Sequence, residues 1–158
     1  MRSVVLLTAL LVFALGGGSH TGVVPRSATA RADEKPAPGP VPVQTSMHDF
    51  MEGVFQGPYR RLKTGMAAEP KDNAGWKVIR SEALILAEGG NLLHARKPEK
   101  DVDQWVKFST GTRDTGADLY KAAKAKDYAA AKKAYQAMLG QCNACHKLFD
   151  DGNHQLTP

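Results

Sequence analysis

Residues 125–152 read AKDYAAAKKAYQAMLGQCNACHKLFDDG. The stretch is rich in Ala, Lys, Gln, Leu and Met, which are good helix formers. Its apolar residues recur three or four positions apart, and this spacing predicts one buried face of an amphipathic helix. We expect this helix over Tyr128–Phe149, with Asp127 as its N-cap and Gly152 as its stop.

Three more helices are predicted upstream, and the sequence contains no convincing strand. The first covers about 46–67 and is expected to kink or break at Pro58, because proline removes a backbone donor and clashes with the preceding turn. The second covers about 73–95 and is weakened at Gly89-Gly90. The third covers Val102–Ala125, with a poorly helical centre. Four such helices joined by short loops predict an all-α, antiparallel up-down-up-down four-helix bundle.

The N-terminus is expected to be a leader. Arg2 gives a positive start, and 4–15 is an apolar run of about a dozen residues, whereas a membrane-spanning helix needs roughly 20. Ala30-Arg31-Ala32 then fits the small-x-small rule for cleavage. We predict a signal peptide over 1–32, cleaved after Ala32, and a periplasmic or otherwise exported protein with no stable membrane insertion. An uncleaved membrane anchor is the alternative.

Four prolines crowd the segment that follows, so 33–45 is predicted to be a flexible, Pro-rich tether and 46–158 the helical domain. The whole chain carries a formal net charge of +5, but three of its basic residues and none of its acidic residues lie in the leader, which leaves +2 after cleavage. No dense Lys/Arg run with interleaved aromatic residues occurs. The composition therefore argues against a nucleic-acid partner.

The chemistry is carried by Cys142-Asn143-Ala144-Cys145-His146, which matches the pattern C-x-x-C-H. This pattern is typical of covalent haem attachment. Each thiol adds to one vinyl group of the porphyrin, and the adjacent histidine offers an imidazole nitrogen to the iron. The sequence therefore predicts one haem c, held through Cys142 and Cys145, with His146 as the proximal iron ligand.

Three other interpretations of the cysteines stay open. A thioredoxin-like redox pair belongs after a strand in an α/β pattern, which this chain lacks. A structural disulfide suits an exported protein, but two cysteines three apart on one helix are poorly placed for it. A structural zinc site needs two further ligands, and His48 and His94 have no zinc-finger spacing.

A single C-x-x-C-H near the end of the last helix of an exported four-helix chain resembles the cytochrome c′ family. The resemblance covers about 46–152, including HDFMEGVFQGPYRRLK at 48–63 and the stretch at 125–152. It implies a haem between the first and last helices, with the sixth iron position facing the first. A large apolar residue at that position would leave five-coordinate, high-spin iron that binds nitric oxide or carbon monoxide. A methionine would give low-spin iron and resemble the electron-transfer branch.

Aligning Arg60-Arg61-Leu62 with the basic–apolar step of the family's first helix places the sixth position on Met51. Met47 is the alternative thioether, His48 is a rival for bis-His ligation, and an open site is a further alternative. A methionine at helical spacing is more often core filler than a ligand.

The family often carries a basic residue near a haem propionate, four positions after the haem histidine, where this chain has Asp150. Lys147, Arg60 and Arg61 are candidate substitutes, although a solvated surface charge is the better explanation for any one of them.

The expected function is one-electron transfer with redox partner proteins rather than enzymatic catalysis. The high-spin, gas-binding protein is the alternative, and a haem-free helical binding module with a disulfide is a third possibility. The resemblance also implies that a homodimer is one expected state.

Overall fold

The computed structural model describes residue 39 and residues 41–158, and this part of the chain is helical without any strand. The predicted signal peptide and most of the Pro-rich tether lie outside the described residues. The elements in chain order are α1 (Met47–Phe50), a π-helical segment (Met51–Gln56), α2 (Gly57–Met66), α3 (Asn73–Leu93), a 3₁₀ turn (His94–Arg96), α4 (Val102–Ala125) and α5 (Tyr128–Phe149). The prediction of an all-α fold with four main helices is confirmed.

The first three of these elements follow one another without a break and form the first helical run, residues 47–66. Its N-cap is Ser46, whose hydroxyl oxygen accepts a hydrogen bond from the Asp49 amide at 3.2 Å. Pro58 lies within the first turn of α2, directly after the π-helical segment. The predicted interruption near Pro58 therefore takes the form of a π-helical segment, and the helical run does not break there. The wider π-helical turns come just where a regular α-helix would meet the missing donor and the proline ring.

Local capping explains the limits of the long helices. The carboxylate of Asp72 accepts from the Gly75 amide at 2.8 Å at the start of α3, and that of Asp127 accepts from the Ala130 amide at 2.9 Å at the start of α5. The bounds of α4 and α5 coincide with the predicted ones. The centre of α4, expected to be weak, is helical throughout, and α3 ends at Leu93 and passes into the 3₁₀ turn.

Glycines allow α3 and α4 to approach closely. A Cβ atom on Gly90 would lie 2.8 Å from the Arg113 backbone nitrogen, and one on Gly116 would lie 3.0 Å from the Ala87 Cβ. The sequence marked Gly89-Gly90 as a weak point of α3. The packing gives Gly90 a second role, because together with Gly116 it lets the two helix backbones meet.

Two apolar clusters fill the interior of the described bundle. The larger draws on the end of α2, the start of α3, the end of α4 and the first half of α5, and includes Leu62, Ile79 and Leu119. The smaller comprises Phe50, Leu93, Trp105 and Cys145 and is called here the Cys145 cluster. Its members come from the start of the first helical run, the end of α3, the start of α4 and the end of α5.

None of the helices in the described part of the chain is both long enough and apolar enough to cross a bilayer.

Candidate functional site

The C-x-x-C-H motif occupies the last two turns of α5. Cys145 is buried, with 9% of its surface exposed, and belongs to the Cys145 cluster. Cys142 is half-buried and packs against the larger apolar cluster, while His146 is also half-buried. Both cysteines carry free thiols. The helix therefore delivers two thiols and one imidazole to the same end of the bundle.

Burial raises the pKa of both thiols. The pKa of Cys142 and that of Cys145 each rise to about 11, chiefly because the apolar surroundings penalise a thiolate. Both thiols are thus protonated at neutral pH. The reactive cysteine of a thioredoxin-like pair has a lowered pKa, so the electrostatics of this site differ from that class.

The candidate sixth ligands lie on the first helical run. Met51, the first residue of the π-helical segment, and Met47, one turn earlier, are both half-buried and pack against the Cys145 cluster. The fold therefore brings both methionines into the same apolar cluster as one of the motif's cysteines. His48, the candidate for bis-His ligation, is exposed, and its Nδ1 lies 3.4 Å from the Asp49 carboxylate.

His146 has a defined hydrogen-bond partner that the sequence analysis missed. Its Nδ1 lies 2.9 Å from the backbone carbonyl oxygen of His154. A carbonyl can only accept, so Nδ1 carries the proton and donates it. The lone pair then resides on Nε2, the nitrogen that remains available to a metal. Histidines that bind metals commonly donate their other N–H group to a carbonyl or carboxylate in this way.

A cation that sequence reasoning also missed lies against the Cys145 cluster. The guanidinium carbon of Arg96 lies 3.7 Å from the centroid of the Phe50 ring. One terminal nitrogen donates to the Leu92 carbonyl at 2.9 Å, whereas the buried Nε finds no partner among the residues that the structure describes. No short motif marks this position, because Arg96 reaches Phe50 only through the fold.

The predicted propionate substitutes are placed differently. Arg61 makes a two-point ion pair with the buried Glu82, at 2.7 and 2.9 Å, and this hydrogen bonding raises the pKa of Arg61. Arg60 and Lys147 are exposed. Asp150, where the family often has a basic residue, accepts from Nδ1 of His154 at 2.8 Å.

A separate groove of about 460 Å³ lies between α2 and the start of α3. It is lined by Arg60, Arg61, Thr64, Gly65, Gly75 and Val78. None of these residues belongs to the Cys145 cluster, so the groove and the motif are distinct features.

No protein-family model matches the chain, and no curated protein matches its sequence.

Proposed function

We propose that this chain is an exported monohaem c-type cytochrome, similar to the cytochrome c′ family, that carries single electrons on a His/Met-ligated haem. One observation carries the proposal. Cys145 of the C-x-x-C-H motif at the end of α5 and two methionines of the first helical run meet at a single apolar cluster. The Nδ1–H of His146 is already engaged with a carbonyl, which leaves Nε2 for iron.

The donor set fits a covalent haem. Cys142 and Cys145 are free thiols three residues apart on one helix, next to an imidazole whose Nδ1 is engaged by a backbone carbonyl and whose Nε2 is left for coordination. The two thiols would hold the porphyrin, and His146 and Met51 would bind its iron. Bound haem supplies an iron that alternates between the ferric and ferrous states. The surrounding cluster limits access of water and keeps the local dielectric low.

We propose that neighbouring helices run antiparallel, in an up-down-up-down arrangement. The make-up of the two clusters supports this, because the start of one helix repeatedly joins the end of the next. Lys126, just after α4, donates to Asn73 at the start of α3 at 2.6 Å. At the other end, Trp105 of α4 donates to the carbonyl of Leu93 at 2.8 Å.

Arg96 is proposed as the cation that faces a haem propionate, in place of the residue that the family often has at the position of Asp150. Its guanidinium already packs on Phe50 of the Cys145 cluster, and its Nε is a buried donor without a partner in the described region. A carboxylate would satisfy that donor, because arginine presents a planar set of donors suited to carboxylate oxygens.

The alternative is a high-spin cytochrome c′ that binds nitric oxide or carbon monoxide. It is favoured by the aromatic pair Phe50 and Phe55, whose ring centroids lie 5.6 Å apart in the same part of the first helical run. If one of these rings rather than a thioether occupied the sixth position, the iron would be five-coordinate. The reduced visible spectrum separates the two, since a low-spin haem gives sharp bands and a high-spin haem gives broad ones.

The test is export of the full chain from a bacterium with a competent cytochrome-maturation system. We expect a red protein that begins at Asp33, exceeds the bare chain by the mass of one haem, and keeps its colour after acid–acetone extraction. The matched control is Cys142→Ala/Cys145→Ala, which should be colourless. A colourless parent protein with the mass of the bare chain would exclude the proposal.

A further inference from the structure

The C-terminal residues 153–158 do not trail into solvent, and they are called here the C-terminal strap. After α5 the chain turns through Gly152, whose φ of +78° is readily adopted by glycine. The strap then runs back beside the helix it has just left. His154 reaches His146, and Leu156 reaches Asn143, so the later strap residue meets the earlier helix residue.

Asn143, which occupies the first x position of the C-x-x-C-H pattern, is hydrogen-bonded to the middle of the strap. Its Nδ2 donates to the carbonyl of Leu156 at 2.9 Å, and its Oδ1 accepts from the amide of Leu156 at 2.7 Å. The amide side chain thus satisfies both backbone groups of one strap residue. The Leu156 side chain packs against the larger apolar cluster.

The first helical run holds the end of the strap. The Tyr59 hydroxyl donates to the carbonyl of Thr157 at 2.9 Å and lies 3.1 Å from its amide, which donates in return. Lys63 Nζ donates to the Thr157 hydroxyl at 2.6 Å. The strap therefore links α5 to α2. The His154 carbonyl, which accepts the hydrogen bond from His146, lies in the strap between the end of α5 and these anchors.

We propose that the C-terminal strap is a positioning device for His146, which keeps Nδ1 protonated and Nε2 directed to coordination. This inference rests on the proposed haem function. A hydrogen bond from Nδ1 to a carbonyl makes the imidazole a stronger electron donor, and a stronger donor stabilises ferric iron. The strap thereby lowers the reduction potential. Asn143 and Tyr59 are positioning residues that act through the strap.

The variant that tests the proposal is Asn143→Leu/Tyr59→Phe, which removes the side-chain hydrogen bonds to the backbone of Leu156 and Thr157. Gln155→Ala is the matched control, because the exposed Gln155 side chain makes only a 3.5 Å contact with Asn153 of the strap itself. In the haem-loaded proteins we expect a higher reduction potential for the double variant and an unchanged one for the control. In a Met51→Ala background, the ferrous iron–histidine stretching frequency should fall only in the double variant.

A second measurement separates failure of this proposal from failure of the proposed function. In the haem-free full chain, ¹⁵N NMR should detect the Nδ1-protonated tautomer of His146. Exchange of that proton with solvent should become roughly tenfold faster in Tyr59→Phe alone, a variant that keeps the Asn143 anchor. The proposal would be overturned if amide exchange at Leu156 shows that the strap has been released, while the reduction potential and the exchange rate of the His146 Nδ1 proton both stay unchanged. Loss of haem from the parent protein would instead count against the function.

Discussion

Met51 lies at the first residue of the π-helical segment, where its half-buried side chain packs against the Cys145 cluster. If its sulfur is the sixth ligand, Met51→Ala removes the thioether and leaves a methyl group that cannot coordinate. We expect a change from low-spin to five-coordinate, high-spin iron that binds carbon monoxide. The haem should stay attached, because its proposed covalent links to Cys142 and Cys145 are not changed. Visible and resonance Raman spectra of both oxidation states measure this change.

Met47→Ala is the matched control for Met51, since both side chains touch the same cluster. It should keep the low-spin spectrum. The reverse pattern, with low-spin iron in Met51→Ala and high-spin iron in Met47→Ala, would assign the ligand to Met47. A parent protein that is already high-spin would favour the gas-binding alternative.

Arg96 provides a second prediction at this scale. A cation near a propionate favours ferrous haem, which carries one positive charge fewer than ferric haem. Arg96→Gln should therefore lower the reduction potential, by on the order of 1 kcal/mol in reduction free energy. A redox titration at low ionic strength measures the shift. Arg60→Gln, which removes an exposed charge elsewhere, should leave the potential nearly unchanged, and equal shifts in both variants would contradict a specific role for Arg96.

At the scale of elements, the helices were predictable because their limits are encoded locally. Asp72 and Asp127 are followed three residues later by the amides they cap, and a sequence displays such pairs directly. Pro58 predicts that the first α-helix is interrupted, but it does not predict the form of the interruption. Whether the backbone breaks, kinks or widens into a π-helix depends on what the flanking helix packs against, and that is a tertiary property.

The contacts of the C-terminal strap and of Arg96 could not be predicted either, because they too depend on tertiary packing. Tyr59 and Thr157 are 98 residues apart, and no periodicity connects them. The motif residues of α5 were found because their chemistry depends on five consecutive positions. Their partners come from other elements and follow only from the packing.

The α3–α4 contact yields a prediction with an internal control. In an open helical position, Gly→Ala stabilises a protein by roughly 0.5–1 kcal/mol. Gly140 is such a position, with no atom within 4 Å of a built Cβ, so Gly140→Ala should stabilise the fold by about that amount. At Gly90 the new Cβ would lie 2.8 Å from the Arg113 backbone nitrogen, and the helices must separate. Gly90→Ala should therefore destabilise the protein, by about 1–3 kcal/mol. Urea unfolding measures both, and stabilisation by Gly90→Ala would contradict the close contact.

At the scale of the whole molecule, core and site are continuous. Cys145 belongs to one apolar cluster and Cys142 packs on the other, while Tyr135 of α5 lies buried with a hydroxyl that has no partner in the described region. The burial that stabilises the fold therefore also raises the pKa of the two thiols and of Tyr135. Any cofactor joined to these thiols would become part of the core.

This coupling predicts how the stability of the haem-free chain depends on pH. Burial raises the pKa of Cys142 and Cys145 to about 11 and that of Tyr135 to about 12, above their ordinary values of 9.0 and 10.0. Between each pair of values the unfolded chain has lost a proton that the folded chain retains, so the free energy of unfolding falls as pH rises. These three groups leave the free energy of unfolding unchanged from neutral pH to about pH 9 and lower it from there to about pH 12, by on the order of 2 kcal/mol for each thiol. Urea unfolding at pH 8, 10 and 11 measures the decrease. The proposed haem attachment would convert both thiols to thioethers that do not titrate. The haem-loaded protein and Cys142→Ala/Cys145→Ala should therefore lose stability only above about pH 10, where Tyr135 alone contributes. An equal decrease from pH 9 in all three proteins would show that the cysteines are not its source.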